Sequence, residues 1–145
     1  MALAPSTSGS SQVVYLVAHH GSNVLRSSDG GDSWAYLPLP SSAANPLDEQ
    51  TWYNLVLTVH PTNPNLVGLG TNRPMRSIDG GNSWAYQGIY NDVAIHLDQH
   101  TFVFRPGSPN EMVIGNDGGV YYSNTFGNAG VGVPTYTNSD LLCCI

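Results

Sequence analysis

Residues 27–36 read SSDGGDSWAY, and residues 77–86 repeat the pattern as SIDGGNSWAY. The two copies keep the first serine, the aspartate, both glycines and the Ser-Trp-Ala-Tyr ending in register, at an offset of 50 residues. An internal repeat at such a period is the signature of a fold built from similar supersecondary units, and it outweighs local propensity. The repeat therefore predicts a chain of similar units packed side by side.

Two further markers extend the repeat along the chain. The proline turn HPTNPN at residues 60–65 returns as RPGSPN at residues 105–110. A degraded third copy of the first motif begins at Tyr122, where Thr125 replaces the aspartate and no tryptophan follows. Because the turn-forming aspartate is missing, we expect this third turn to be longer and looser than the first two.

Between these markers, apolar and polar residues alternate with the period of two that is typical of half-buried strands. Four-stranded units at spacings of 45 to 50 residues are typical of the blades of a β-propeller. The predicted fold is all-β, with about three four-stranded antiparallel blades in a partial propeller, or in one completed by oligomerisation. We assign residues 1–11 to a flexible N-terminal segment, the blades to about 12–39, 54–89 and 100–138, and a closing strand to about 141–145.

Composition excludes several classes of function. The chain has 145 residues, of which 41% are hydrophobic and 10% charged, and its formal net charge is −6. Four basic residues cannot build the positive groove that nucleic-acid binding needs. The longest apolar run, residues 13–18, is far shorter than the roughly 20 residues that span a bilayer. We therefore expect no nucleic-acid partner, no membrane span and no cofactor.

The repeated motif has a physical rationale as a turn. Its aspartate can accept hydrogen bonds from backbone N–H groups of the same turn, and its glycines supply positive φ angles. The tryptophan opens the outer strand and can cover the turn from the apolar side. These residues are therefore interpreted as scaffold: Ser27, Asp29, Gly31, Trp34, Ser77, Asp79, Gly81 and Trp84.

The two complete motifs, in register with the proline turns, resemble the Asp-box (bacterial neuraminidase repeat) family of propellers over roughly residues 12–138. That family includes sialidases, sortilin-type receptors, xyloglucanase-type glycoside hydrolases and photosystem assembly factors. The resemblance implies a propeller fold and, since most members are exported, an extracellular or periplasmic location. It does not imply a type of reaction, because one fold hosts many functions.

Ligand sites of related propellers lie on the face opposite the box turns. The links between second and third strands, and the links between blades, reach that face and carry four of the five histidines. A concave surface with aromatic and polar side chains suits the faces and hydroxyls of sugars. The predicted ligand-binding residues are Trp52, Tyr53, Arg73, His96, Asp98, His100, Asn116 and Asp117.

The positions of the arginines do not support sialidase activity. That activity needs three arginines around a carboxylate, together with a tyrosine nucleophile activated by a glutamate. Only Arg73 lies on the predicted ligand face, and Arg73-Pro74 lacks the middle residue of the Arg-Ile-Pro signature of that group. The arginine triad is absent.

Residues 96–100 admit a metal site as a weak alternative. If this segment is extended, His96, Asp98 and His100 project in the same direction, which a metal ion would require. A structural network is the preferred interpretation, in which Asp98 fixes the tautomer of a histidine. We therefore expect no metal.

Asp117 is a weak catalytic candidate. The segment from Asn116 to Gly119 resembles the Asp-Gly-Gly segment before the third strand of many Asp-box propellers. In the xyloglucanase-type hydrolases a similarly placed aspartate is one of two catalytic carboxylates, which the resemblance places at Asp117. A glycosidase needs a second such group at a defined separation, and the candidates Asp48, Glu49 and Asp98 match no family motif. A turn-forming Asp117 is therefore preferred.

Three functional hypotheses remain. The first is a non-catalytic extracellular module that binds a glycan or a protein ligand, the second is a self-assembling structural protein, and the third is a fragment of a xyloglucanase-type glycoside hydrolase. Three blades leave two open sheet edges, which proteins usually cover. We therefore expect a homo-oligomer, in which Leu141–Ile145 of one copy supplies the first strand that the next copy lacks.

Overall fold

The computed structural model describes residues 2–8, 11–18, 23–39, 47, 50–87, 95–130 and 134–138. Within these ranges the chain forms twelve strands and no helix, and the strands make three four-stranded antiparallel sheets. Accordingly, no described helix is long and apolar enough to cross a membrane. The predicted all-β architecture of three blades is confirmed.

Each blade uses four strands in chain order. Blade 1 contains β1 (Ala2–Ser8), β2 (Ser11–Val17), β3 (Val24–Ser27) and β4 (Ala35–Leu37). Blade 2 contains β5 (Val56–Val59), β6 (Val67–Gly70), β7 (Pro74–Ser77) and β8 (Ala85–Tyr86). Blade 3 contains β9 (Gln99–Arg105), β10 (Ser108–Asn116), β11 (Gly119–Ser123) and β12 (Thr137–Asn138). The first strands β1, β5 and β9 are therefore repeat equivalents.

Blade 1 has a strand where the sequence predicts a flexible segment. β1 pairs with β2 along its whole length, from the Ala2–Val17 pair to the Ser8–Ser11 pair. Its sequence, ALAPSTS, has a single β-branched residue and no aromatic one, so strand propensity gives no signal. β1 occupies the first-strand position for which Leu141–Ile145 was proposed, and that segment lies outside the described residues.

The core lies between consecutive blades. We call the side of a blade that faces the preceding blade its leading face, and the side that faces the following blade its trailing face. The cluster between blades 1 and 2 contains Val13, Tyr15, Val17, Val24, Leu37, Leu47, Leu57, Val59, Val67, Leu69 and Met75. The cluster between blades 2 and 3 contains Leu66, Ile95, Phe102, Met112, Ile114, Tyr121 and Phe126. Because successive side chains of a strand point to opposite faces, blade 2 contributes one face to each of these two interfaces.

The two complete box turns are built alike. Asp29 Oδ1 accepts hydrogen bonds from Ser27 Oγ at 2.6 Å and from the Ser33 N–H at 2.9 Å. In the second turn, Asp79 Oδ1 accepts the same bonds from serines 77 and 83, at 2.8 and 2.9 Å. The hydroxyl of Ser27 is the largest of the contacts that lower the pKa of Asp29. All four box glycines have φ between 75° and 111°, where L side chains are strained.

The third turn replaces the aspartate with a hydroxyl. Thr125 Oγ1 accepts the N–H of Thr135 at 3.0 Å, and the Thr125 N–H donates to Ser123 Oγ at 3.3 Å. The bonded N–H lies ten residues after Thr125, against four in the complete boxes. This turn is therefore longer, as expected, and its hydroxyl takes the place of the missing carboxylate.

His60 holds the proline turn of blade 2 in its neutral form. Its Nδ1 accepts the N–H groups of Thr62 at 3.2 Å and Asn63 at 2.9 Å, which a protonated nitrogen cannot do. The ring packs edge-on against Phe104 of blade 3, with 5.2 Å between centroids. Burial lowers the pKa of His60, against the opposing effect of a hydrogen bond to the backbone of Pro109.

We expect His60 to make the free energy of unfolding depend on pH. Because its folded pKa is lowered, the stability linked to His60 is complete above the unfolded-state pKa of about 6.5. That stability is lost as the pH falls through the lowered folded pKa. Denaturant melts between pH 8 and 5 should therefore show a steeper loss in the parent protein than in His60→Asn, which keeps a short acceptor. Parallel pH profiles of the two proteins would contradict this assignment.

Candidate functional site

Three predicted ligand-binding side chains meet beside the turn between β10 and β11. Asp117 Oδ1 accepts a hydrogen bond from the Tyr53 hydroxyl at 3.0 Å and one from His100 Nε2 at 2.6 Å. The rings of Tyr53 and His100 pack edge to face, with centroids 4.8 Å apart. Trp52 adds a third ring, tilted by 47° against Tyr53 at 5.8 Å. We call Trp52, Tyr53, His100 and Asp117 the aromatic–carboxylate cluster.

Backbone geometry aims Asp117 into this cluster. Asn116 Oδ1 accepts the N–H of Gly118 at 3.0 Å, so Asn116 closes the turn with its own side chain. Asp117 lies in this turn, in keeping with the preferred interpretation, but the side chain that closes the turn is the amide of Asn116. The Asp117 carboxylate is left to pair with His100, which lies on the adjacent strand β9.

The cluster is polar, charged and open to solvent. The side chains of His100 and Asp117 are 33% and 40% exposed. The hydrogen bond from His100 is the main contact that lowers the pKa of Asp117, and the Tyr53 hydroxyl adds to it. The carboxylate in turn raises the pKa of Tyr53. Asp117 is therefore ionised at neutral pH, while Tyr53 keeps its proton.

One oxygen of Asp117 remains available to a ligand. Both hydrogen bonds from Tyr53 and His100 reach Oδ1, and among the described residues none reaches Oδ2. A carboxylate oxygen has about two acceptor sites, so Oδ2 can accept hydroxyl donors from outside. The cluster thus offers an oriented acceptor beside two exposed aromatic rings.

Asp98 lies in a separate network of amides. Its Oδ1 accepts hydrogen bonds from Gln50 Nε2 at 2.5 Å, Asn54 Nδ2 at 2.6 Å and Asn72 Nδ2 at 3.5 Å. The φ of Asp98 is +60°, the one positive value among described non-glycine residues. Such strain persists only where the surroundings fix it. This network ties the link before β5 to the turn after β6 and to the start of β9.

The metal interpretation of residues 96–100 does not fit this geometry. The positive φ of Asp98 breaks the extended conformation, so the carboxylate turns to the amides while His100 turns to Asp117. The tautomer of His100 is therefore fixed by Asp117, and the prediction that assigned this role to Asp98 is wrong. His96 Nδ1 contacts the carbonyl oxygen of Leu97 at 3.2 Å. The described part of the chain contains no group of three potential metal ligands.

Arg73 and Asn116 lie outside the aromatic–carboxylate cluster. The guanidinium of Arg73 stacks on the ring of Tyr86, 4.3 Å from its centroid. Asn116 is buried, and its Nδ2 donates to the carbonyl oxygen of His96 at 3.2 Å. Arg73 therefore belongs to the edge of blade 2, and Asn116 supports the loop.

Four amide side chains of this region were not predicted from the sequence as site residues: Gln50, Asn54, Asn72 and Gln99. Three of them hold Asp98, and the fourth, fully buried, donates to the carbonyl oxygen of His96 at 2.6 Å. None of them lies in a repeated motif. Their roles depend on the spatial meeting of distant loops, and no local pattern signals it.

Comparisons with known proteins support the fold. No protein-family model and no curated protein matches the chain. Among solved structures, the GH74 enzyme of Niastella koreensis matches with a TM-score of 0.64 and 20% identity, over 94% of this chain and 22% of its own. An ancestral GH74 enzyme matches with a TM-score of 0.59 and 20% identity, over 86% of this chain and 16% of its own.

A third neighbour has a different description. YCF48, solved with a bound D1 peptide, matches with a TM-score of 0.51 and 17% identity, over 96% of this chain and 40% of its own. All three neighbours are β-propeller proteins, and this chain spans well under half the length of each. At these identities the comparisons establish a partial propeller and no particular activity.

Proposed function

We propose that this propeller segment is a non-catalytic extracellular module that binds a glycan at the aromatic–carboxylate cluster. The observation that carries the proposal is the exposed indole of Trp52, 75% accessible, beside an ionised and oriented Asp117. Adjacent exposed aromatic side chains with polar groups at their edge, such as Trp52 and Tyr53 beside Asp117, often mark a binding surface. The resemblance to Asp-box propellers favours the same loop-bearing face.

Sugar chemistry matches the groups in this cluster. The C–H face of a pyranose packs on a flat aromatic ring, and Trp52 and Tyr53 present two rings within 5.8 Å of each other. Ring hydroxyls are hydrogen-bond donors that the ionised Asp117 can accept. The contacts from Tyr53 and His100 hold that carboxylate before the ligand arrives, which lowers the ordering cost of binding.

The charge state of Asp117 argues against a role as the general acid of a hydrolase. A glycosidase needs one protonated carboxyl group as general acid and a second carboxylate at a defined separation. The contact with His100 lowers the pKa of Asp117, which suits an acceptor and not an acid. Asp98 is the other described carboxylate of this region, and three amide donors engage its Oδ1.

We expect Trp52→Ala to weaken glycan binding about tenfold, because loss of one stacking ring removes roughly 1–1.5 kcal/mol. A glycan array screened with the parent protein identifies the ligand, and titration calorimetry then compares the variants. Ile78→Ala is the matched control, since Ile78 is an exposed apolar side chain of a box turn and should leave the affinity unchanged. The proposal would be refuted if the parent protein bound no glycan on the array, or if Trp52→Ala bound the glycan with the same affinity as the parent protein.

A glycoside hydrolase fragment is the second candidate function. It is favoured by the two GH74 enzymes among the structural neighbours and by the accessible carboxylate of Asp117. Reducing-sugar release from the glycan that the parent protein binds distinguishes the two functions. If the parent protein releases reducing sugar and Asp117→Asn still binds the glycan but does not release it, the protein is a hydrolase and not a non-catalytic module.

A further inference from the structure

Exposed apolar side chains fall into a few places on the molecule. The described residues include eight large hydrophobic side chains that are exposed. Two belong to the aromatic–carboxylate cluster and one is Ile78. The other five lie on the outer faces of blades 1 and 3: Trp34, Tyr36, Val103, Val113 and Val120. These two faces are the places where a further blade would pack.

The leading faces show the contrast directly. In blade 2, the row of paired residues Leu57, Leu69 and Met75 is buried against blade 1. In blade 3, the equivalent row Phe102, Ile114 and Tyr121 is buried against blade 2. In blade 1, the equivalents of Leu69 and Met75 are Leu16 and Leu25, which are only half-buried. On the outer strand, Tyr36 is 76% exposed, whereas its equivalent Tyr86 in blade 2 is partly buried against blade 1. The leading face of blade 1 is thus less covered than the equivalent faces of blades 2 and 3.

The box turns repeat this contrast. Trp84 donates its indole N–H to the carbonyl oxygen of Pro38 in blade 1, at 3.1 Å, and the side chain of Leu37 packs against Gly81. Its repeat equivalent, Trp34, donates to the Gly31 carbonyl at 2.9 Å within its own turn, as Trp84 does to Gly81, and no described residue of another blade accepts the Trp34 N–H. That indole is 39% exposed. In the described part of the chain, blade 1 therefore lacks a neighbour of the kind that it provides for blade 2.

The trailing face of blade 3 is the complementary surface. In blade 1, the equivalent position on β2 is Tyr15, which is fully buried and donates to the carbonyl oxygen of Pro64 in blade 2 at 2.6 Å. In blade 2, Arg76 of β7 is buried and donates to the carbonyl oxygen of Asn128 in blade 3 at 2.6 Å. Blade 3 has the pair Val103 and Val113 on this face, and both are exposed.

The charges on this face are already paired. Arg105 Nη1 donates to Glu111 Oε2 at 2.8 Å, and the Tyr122 hydroxyl donates to the same oxygen at 2.7 Å. Leaving a charge unpaired on burial is strongly unfavourable, whereas a paired charge can be covered. The face that carries Val103 and Val113 can therefore be buried without leaving Arg105 or Glu111 unpaired.

We propose that the occupant of each face is a second copy of this chain. The trailing face of blade 3 packs on the leading face of blade 1 of the other copy, in the blade-on-blade manner of the two internal interfaces. Two copies bury both faces of both chains, since a heterologous contact that closes makes a ring, and six blades lie within the range of known propellers. Strand exchange through Leu141–Ile145 is not required, because β1 completes blade 1.

The test is the solution mass of the purified chain, measured by light scattering after size exclusion. We expect twice the 15.5 kDa of one chain, and loss of the dimer in Val103→Asp. Ile78→Asp is the matched control, because the two side chains are 52% and 50% exposed, and it should leave the dimer intact. A monomer at all concentrations would overturn the proposal and assign these faces to blades of another chain or a longer one.

A mixing experiment tests the head-to-tail arrangement. Val103→Asp places a charge on the trailing face of blade 3, and Tyr36→Asp places one on the leading face of blade 1, so each variant has one disrupted face. Each variant alone should be monomeric with the circular dichroism spectrum of the parent protein. An equimolar mixture should recover dimers through the one interface in which both faces are intact. A parent dimer together with a mixture that stays monomeric would overturn the pairing of these two faces.

Discussion

Replacing Phe126 with alanine is expected to destabilise the protein by about 3–5 kcal/mol, the range found for aromatic residues removed from packed cores. Phe126 is fully buried between blades 2 and 3. Its ring lies 6.2 Å from that of Phe102 and 6.0 Å from that of Phe104, and the Arg76 guanidinium stacks 5.5 Å from its centroid. Alanine would leave a cavity that aromatic neighbours on rigid strands cannot close.

Equilibrium melts in urea, followed by tryptophan fluorescence, measure this loss. Phe126→Leu should cost less, about 1–1.5 kcal/mol, because it keeps most of the apolar volume. Trp52→Ala removes a larger ring that is exposed to solvent, and it should change stability by no more than about 0.5 kcal/mol. A loss below about 1 kcal/mol in Phe126→Ala would show that blades 2 and 3 do not pack on this ring.

Phe126 also shows why the repeat predicted the fold but not its details. The first two boxes place a glycine three residues after the opening serine, whereas the third places Phe126 there. From the sequence alone, this change predicts a degraded turn motif. In the structure, Thr125 keeps the turn bond that the aspartate makes elsewhere, and Phe126 fills the gap between blades. The blade keeps its fold because Thr125 and Phe126 replace the missing aspartate and glycine through contacts with distant residues. Such contacts leave no periodic pattern in the sequence.

The prediction of strands succeeded where their signal is local. The period-two alternation over residues 54–89 and 100–138 predicted blades 2 and 3. Burial alternates along β5 and β11 as that pattern implies, whereas β6 and β7 are buried on both faces. β1 was missed because what identifies it is its pairing with β2. Backbone hydrogen bonds between paired strands do not depend on side chains, so a segment of weak propensity can complete a sheet.

The candidate site was predicted at the level of a face, not of contacts. Propeller topology brings Tyr53, His100 and Asp117 to the same side, and their residue types suggested a binding surface. Which carboxylate pairs with the histidine depends on turn geometry, namely the positive φ of Asp98 and the turn closed by Asn116. Both features follow from nonlocal packing, so the sequence assigned the pairing to the wrong aspartate.

Gly127→Ala is expected to cost about 3 kcal/mol, at the upper end of the range for overpacking. A methyl group at this position would collide with the carbonyl oxygen of Pro109 and lie 2.7 Å from Cα of Asn110. These are backbone atoms, which cannot rotate away as a side chain would. The Gly127 N–H donates to the Asn110 carbonyl at 3.2 Å, so relief of the collision would also break the bond between the box turn and the proline turn of blade 3.

Gly130→Ala is the matched control for this prediction, three residues along the same turn. A Cβ at Gly130 meets nothing closer than the Asn128 Oδ1 at 3.3 Å, and neither glycine has a positive φ. Both substitutions reduce the freedom of the unfolded chain by the same amount, which stabilises by about 0.4–1 kcal/mol. The difference between the two variants in urea melts therefore isolates the steric cost. Equal stabilities would mean that the box turn of blade 3 does not rest on its proline turn, so the contact between Gly127 and Asn110 would contribute nothing to stability.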